Sequence, residues 1–151
     1  FILIIFFLFK KNGTKGLLVI LLFISVLILF TDQFTNVVKD FTQRLRPCRL
    51  DELQGLLRDI DIRCGKYGFF SAHAANSISV TIFIINCVDE SVKKFLKPVL
   101  ILWVMIFSYS RIYLGVHYPL DTVFGLSFGI FSGFLFKYIY NYFISVKVFS
   151  D

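Results

Sequence analysis

Apolar residues run along this chain in blocks rather than in stripes. The blocks are Phe1–Phe9, Leu17–Phe30 continuing to about Val38, Ala74–Val88, Phe95–Tyr109 and Leu120–Ile144. A helix on the surface of a water-soluble domain shows an apolar stripe beside a polar face, and these long runs do not follow that pattern. Several have a strict apolar core of only about 14–15 residues, short of the ~20 that a membrane span needs, so each alone also reads as a buried soluble helix. Five such blocks in 151 residues instead predict spans whose polar ends reach the interface. The expected fold is all-α, a multi-pass transmembrane helical bundle in one membrane-embedded domain over residues 1–151.

The polar positions between the blocks set a topology by parity. Lys10, Lys11 and Lys15 fall on the same side as Lys93, Lys94 and Lys97. The segment from Lys39 to Phe70 and the turn from Arg111 to Asp121 fall on the other. Short Lys-rich loops stay cytoplasmic. The opposite side carries eight Lys and Arg of its own, so a raw count does not decide. Those eight lie among Asp40, Asp51, Glu52, Asp59 and Asp61, and discounting them points Lys39–Phe70 and Arg111–Asp121 away from the cytoplasm.

Composition agrees with a lipid environment. The chain is 57% hydrophobic and 17% charged, where a soluble domain has about a quarter of its residues charged. The net charge of +6 is no nucleic-acid signature, because the basic residues sit between apolar blocks. A membrane surface or an anionic headgroup suits them better. No signal-peptide cleavage pattern is visible. The chain starts at Phe1 inside a block of nine residues, which spans about half a bilayer. An N-terminally incomplete chain is therefore expected.

Three constellations share the outer side. In the first, Lys39 precedes Arg46-Pro47 by seven residues. If the second block continues as a helix, two cations about 10 Å apart share a face with Asp32, Asn36 and Gln43. The bland alternative is a solvated helix end with snorkelling cations. In the second, Phe70-Ser71-Ala72-His73 opens the next block. Ser71 is a candidate N-cap, and free N–H groups at a helix start bind phosphate. Taken alone, a plain cap beside a bystander histidine is the commoner meaning of that pattern. In the third, Ser110-Arg111 is followed by His117 and Asp121, with Pro119 fitting the first turn of the last helix. Asp121 can fix the tautomer of His117 and stabilise its imidazolium. Arg111 offers a planar fork to phosphate oxygens. Three cations, two imidazoles and one carboxylate equip a site for phosphoryl transfer without a metal. Two histidines with one nearby carboxylate make a poor metal ligand set.

These residues resemble the three motifs of the type 2 phosphatidic acid phosphatase family, KxxxxxxRP, PSGH and SRxxxxxHxxxD. Here they read KDFTQRLRP (Lys39–Pro47), FSAH (Phe70–His73) and SRIYLGVHYPLD (Ser110–Asp121), over a matched core of about residues 17–145. The second motif has Phe70 for Pro and Ala72 for Gly. The resemblance implies a six-helix membrane core, here lacking about one N-terminal helix, and a lipid phosphatase that needs no cofactor. It implies His117 as the nucleophile forming a phosphohistidine, Asp121 as its orienting partner and His73 as the general acid. Lys39, Arg46, Ser71, Arg111 and the amide of Ala72 would hold the phosphate. The bacterial members act on undecaprenyl pyrophosphate, phosphatidylglycerophosphate, phosphatidic acid or lipid A phosphates. The leading expectation is an undecaprenyl-pyrophosphate-like substrate at the outer face of a bacterial inner membrane, with a lipid A, phosphatidylglycerophosphate or phosphatidic acid phosphatase as the alternative. A non-catalytic anion transporter is the competitor from another class, but it needs neither histidine nor Asp121, and no internal repeat is visible.

Three small features complete the reading. Cys48 and Cys64 flank the outer loop, where an oxidising compartment permits a disulfide closing about 17 residues and worth about 3 kcal/mol. The stretch from Leu50 to Arg58 has some helical spacing and suggests a lid. Gly125, Gly129 and Gly133 recur every fourth residue in the last block, which predicts close helix packing.

Overall fold

The computed structural model describes residues 2–53, 55 and 64–145. Among these residues the chain forms four helices: α1 (Ile2–Thr42), α2 (Ala72–Cys87), α3 (Glu90–Tyr113) and α4 (Pro119–Ser145). Two 3₁₀ turns, Pro47–Arg49 and Asp51–Leu53, lie between α1 and α2. Among the described residues there is no strand, only one isolated antiparallel bridge between Leu45 and Tyr67.

The first two apolar blocks are the two arms of α1. The arms meet at Gly13, whose φ of +66° falls in the left-handed region that glycine enters without penalty. The break folds residues 2–12 back along the second arm. Leu8 therefore packs with Ile20 and Leu27, and Leu3 and Ile4 line the same cavity as Ile28 and Asp32. The fold-back is pinned to the far end of α2: Lys11 Nζ donates to Val88 O at 2.8 Å and Asn12 Nδ2 to Cys87 O at 3.1 Å. The Lys10–Lys15 and Lys93–Lys97 groups accordingly share one end of the bundle.

α1, α3 and α4 are long and apolar enough to cross a membrane. Leu22, Phe41, Leu102, Ile106, Phe131 and Tyr138 point outward, as a lipid-facing surface requires. The shorter α2 lies among the others, with Ala75, Ser79 and Phe83 fully buried.

α2 and α4 meet backbone to backbone. A Cβ at Gly125 would stand 2.5 Å from Ser71 O, and one at Gly133 would stand 2.9 Å from Ser79 O. A Cβ at Gly129 would run into Ala75 O and Ile78. A glycine on every turn of α4 thus faces Ser71, Ala75 and Ser79 on successive turns of α2, the close packing the spacing predicts. Phe70, at the family's proline position, is buried among Phe34, Phe69 and Phe128.

Candidate active site

The end of the bundle opposite the lysines gathers the three constellations. The first is not one continuous helix. α1 stops at Thr42, Gln43 turns with φ +47°, and Arg46 is extended (φ −72°, ψ 153°). Pro47 accounts for the extended Arg46, because its ring disfavours helical geometry in the residue before it. The expected stripe of Asp32, Asn36, Lys39, Gln43 and Arg46 on one helical face is therefore broken after Lys39. Residues 44–46 run antiparallel to 66–68 instead, with Gly68 N donating to Arg44 O at 2.9 Å and Arg46 N to Lys66 O at 3.3 Å.

This arrangement aims Arg46 inward. Its Nε donates to Tyr67 O at 2.9 Å and its Nη1 to Val116 O at 3.5 Å. Gly68 makes room for it, since a Cβ there would lie 3.0 Å from Arg46 Cγ and 3.4 Å from Asp121 Oδ2. Cys48 N donates to Gly115 O at 3.0 Å, seating this segment on the turn that carries His117. Cys48 and Cys64 are joined by a disulfide, with Cα atoms 6.6 Å apart. Of the proposed lid, Asp51–Leu53 form a 3₁₀ turn, and residues 54 and 56–58 lie outside the described residues.

Ser71 caps α2, its Oγ accepting from Ala74 N at 3.4 Å. Ser71 N donates to Asp121 O at 2.9 Å, which ties the start of α2 to the start of α4. Ala72 is the first helical residue and takes no positive φ, so the glycine of the family motif is not needed here for backbone reach. His73 is exposed on the next position, its ring 6.0 Å from that of Phe107.

Asp121 is fully buried, and its two oxygens are committed. Oδ1 accepts from Arg44 Nη1 at 2.9 Å, and Oδ2 from Tyr118 N at 3.0 Å. His117 is also buried, with Nδ1 3.6 Å from Asp121 Oδ2, just beyond hydrogen-bond length. Burial pulls the His117 imidazole below its ordinary value of 6.5, against the carboxylate of Asp121, which pulls it up, while Arg46 and Lys39 add to the fall. The buried ring is accordingly neutral at neutral pH. Arg111 lies over Phe107, 4.8 Å from its centroid, with Nε donating to Ser110 Oγ at 3.1 Å. Lys39, Arg46, Arg111 and His117 are all close enough to act electrostatically on His73. Among the described residues no three His, Cys, Asp or Glu side chains converge as metal ligands.

The PAP2 superfamily model matches residues 2–145. The chain belongs to the PAP2 superfamily. Among PAP2 proteins it is similar to the lipid A 4′-phosphatase of Bacteroides thetaiotaomicron, at 37% identity over 90% of this chain and 60% of that protein. It is similar also to the lipid A 4′-phosphatase of Porphyromonas gingivalis, at 33% identity over 91% of this chain and 58% of that one. The chain thus spans about three fifths of the length of these curated relatives. Its fold matches the crystal structure of a transmembrane PAP2-type phosphatidylglycerolphosphate phosphatase from Bacillus subtilis, with a TM-score of 0.70 at 22% identity over 99% of this chain and 69% of that one. With α1, α3 and α4 each long and apolar enough to cross a membrane, the chain is an integral membrane protein.

Sequence reading missed Arg44 and Tyr118, both of which hold Asp121. Arg44 stands in the first motif at a variable position, and the expectation of a continuous helix left it no role. The antiparallel pairing of residues 44–46 with 66–68 gives it one. Arg44 also stacks on Tyr118, its Cζ 4.2 Å from the ring centroid.

Proposed function

We propose that this protein is a metal-independent membrane lipid phosphatase acting on a lipid phosphomonoester of the lipid A type through a phosphohistidine. The observation that carries the reading is the buried His117 backed by Asp121 and Arg44, with Lys39, Arg46, Arg111 and His73 gathered at the same end of the bundle. Two relatives above 30% identity, both lipid A 4′-phosphatases, favour the lipid A type over the undecaprenyl pyrophosphate type as the substrate.

In this mechanism Lys39, Arg46 and Arg111 bind the phosphate oxygens and neutralise their charge as it spreads, helped by Ser71 and the amide of Ala72. Asp121 lies on the Nδ1 side of His117, which leaves Nε2 to attack phosphorus. The bond from phosphorus to the lipid oxygen breaks, and His73 gives that oxygen its proton. Water then attacks the phosphohistidine, His73 takes a proton from it, and phosphate leaves with His117 regenerated.

The site faces away from the cytoplasm, in a bacterial inner membrane. The lysine-rich end favours the cytoplasm, and the Cys48–Cys64 bridge suits an oxidising compartment.

Phosphate release by the full-length protein in detergent with EDTA tests the reading. The panel is lipid A, phosphatidic acid, phosphatidylglycerophosphate and undecaprenyl pyrophosphate, each beside His117→Ala. EDTA-resistant release, fastest from lipid A and lost in the variant, is expected. No release from any lipid by a folded protein overturns it.

A further inference from the structure

A carboxylate lies inside the bundle where the phosphate chemistry does not use it. Asp32 sits on α1 seven residues before Lys39, so about two turns deeper in the membrane on the same face. Its Oδ1 accepts from Asn76 Nδ2 at 2.7 Å. The Asn76 carbonyl is taken in turn by the Thr31 hydroxyl, which fixes the amide with its N–H toward Asp32. Among the described residues Asp32 forms no ion pair, and its Oδ2 has no hydrogen-bond partner.

Asp32 and Asn76 line a cavity of about 670 Å³ between both arms of α1, α2 and α3. His73 and Ala72 stand at one end of this cavity, and Val80, Ile84, Leu96 and Val99 continue it toward the other. It thus runs from the phosphate site past one polar step into an apolar groove. An ionisable side chain facing a cavity at membrane depth is costly and calls for a partner. The cost is compounded here, because a carboxylate close to a phosphate site repels the very group that the nearby cations attract. What offsets both is a hydrogen-bond donor on the neutral part of the lipid, between its phosphate and its acyl chains.

Resting on the phosphatase reading above, we propose that Asp32, held by Asn76, reads hydroxyl or amide N–H donors at that linker and so selects an acylated amino-sugar phosphate over a glycerol phosphate. A sugar ring with amide-linked chains presents such donors one residue-length from its phosphate. The glycerol diester of phosphatidic acid presents acceptors alone, which Asp32 leaves unsatisfied. A site built around donors rejects a ligand that lacks them far more strongly than an apolar pocket rejects a change of shape.

The test compares kcat/KM for two substrates on the same preparation of full-length protein, so that the folded fraction cancels. One is an N- and O-acylated glucosamine 4-phosphate, and the other is phosphatidic acid with matched chains. The wild type is expected to favour the sugar. Asp32→Asn, which keeps size but not charge, and Asp32→Ala are each expected to lower the sugar-to-glycerol ratio at least tenfold, through KM for the sugar lipid. A ratio within twofold of wild type in both variants, with both activities falling together, overturns the proposal and assigns Asp32 to helix packing or to tuning Lys39. Hydrolysis of neither lipid by the wild type overturns the phosphatase reading itself, and this inference with it.

Discussion

Arg44 holds Asp121 by a 2.9 Å ion pair, and Asp121 in turn stands behind His117. The pair joins the extended segment after α1 to the first turn of α4, 77 residues apart in sequence. Asp121 is fully buried, so removing its guanidinium partner strands a carboxylate away from water. Arg44→Ala is expected to lower kcat by roughly 10²-fold, the scale of a misplaced reacting group. Arg44→Lys should recover part of the loss, since it keeps the charge but not the planar stack on Tyr118. Steady-state kinetics of the three proteins checks the order. Equal rates would show that Asp121 needs no such support.

His73 is expected to matter in proportion to how poor the leaving group is. A general acid contributes about 10²–10⁴-fold when the departing oxygen needs a proton. His73→Ala should therefore cost that much on a lipid phosphate, and far less on p-nitrophenyl phosphate, whose phenolate leaves unaided. A similar loss on both substrates would assign His73 to phosphate binding instead.

The depressed His117 value has a pH signature. The neutral ring is the competent nucleophile, and burial keeps it neutral to lower pH than the usual 6.5. Activity limited by His117 should hold as pH falls through 6.5 and drop only below it. The stability sign follows the same shift. Below 6.5 the unfolded chain takes up a proton that the folded chain refuses, so stability falls with pH down to the folded value and then levels. With only two histidines in the chain, ¹⁵N-histidine NMR of wild type and His73→Gln reads the titration directly. A His117 midpoint above 6.5 would contradict the role given to burial.

Reduction of the Cys48–Cys64 bridge should cost about 3 kcal/mol of stability. It should also lower activity, because the bridge ties the stretch that follows Arg44 and Arg46 to the stretch that precedes Lys66–Gly68, with which residues 44–46 pair. Cys87 is buried and free, so a Cys48→Ser, Cys64→Ser double variant should match the reduced protein and ignore dithiothreitol. Thermal unfolding in detergent, with and without reductant, makes the comparison. A reductant effect that persists in the double variant would exclude the bridge as its source.

Much of this was legible in the chain. The apolar blocks gave the helices, because lipid demands unbroken apolar runs, and the glycines every fourth residue gave the contact of α4 with α2. Ser71 as a cap and the gathering of His73, Arg111 and His117 at one end followed from parity and spacing. What was not legible came from pairings between distant segments. Arg46 is extended because Pro47 follows it, a local signal that the helical periodicity of α1 obscured. Arg44 acquires its partner only through the bridge of Leu45 with Tyr67, and no one-dimensional pattern announces an isolated bridge. The fold-back at Gly13 likewise hides in the sequence, as a single glycine between two lysine-flanked runs.

The glycine face of α4 has a consequence beyond packing. His73 is carried by α2, while His117 and Asp121 belong to the turn that opens α4. Those halves are tied at the site by the bond from Ser71 N to Asp121 O, and below it the interhelical gap is set by the bare backbone of Gly125, Gly129 and Gly133. The distance from proton donor to nucleophile is thus gauged deep in the bilayer, by side chains that are not there. A methyl group at Gly129, two turns from any reacting atom, would act as a shim between the two helices and retune the reaction from a distance.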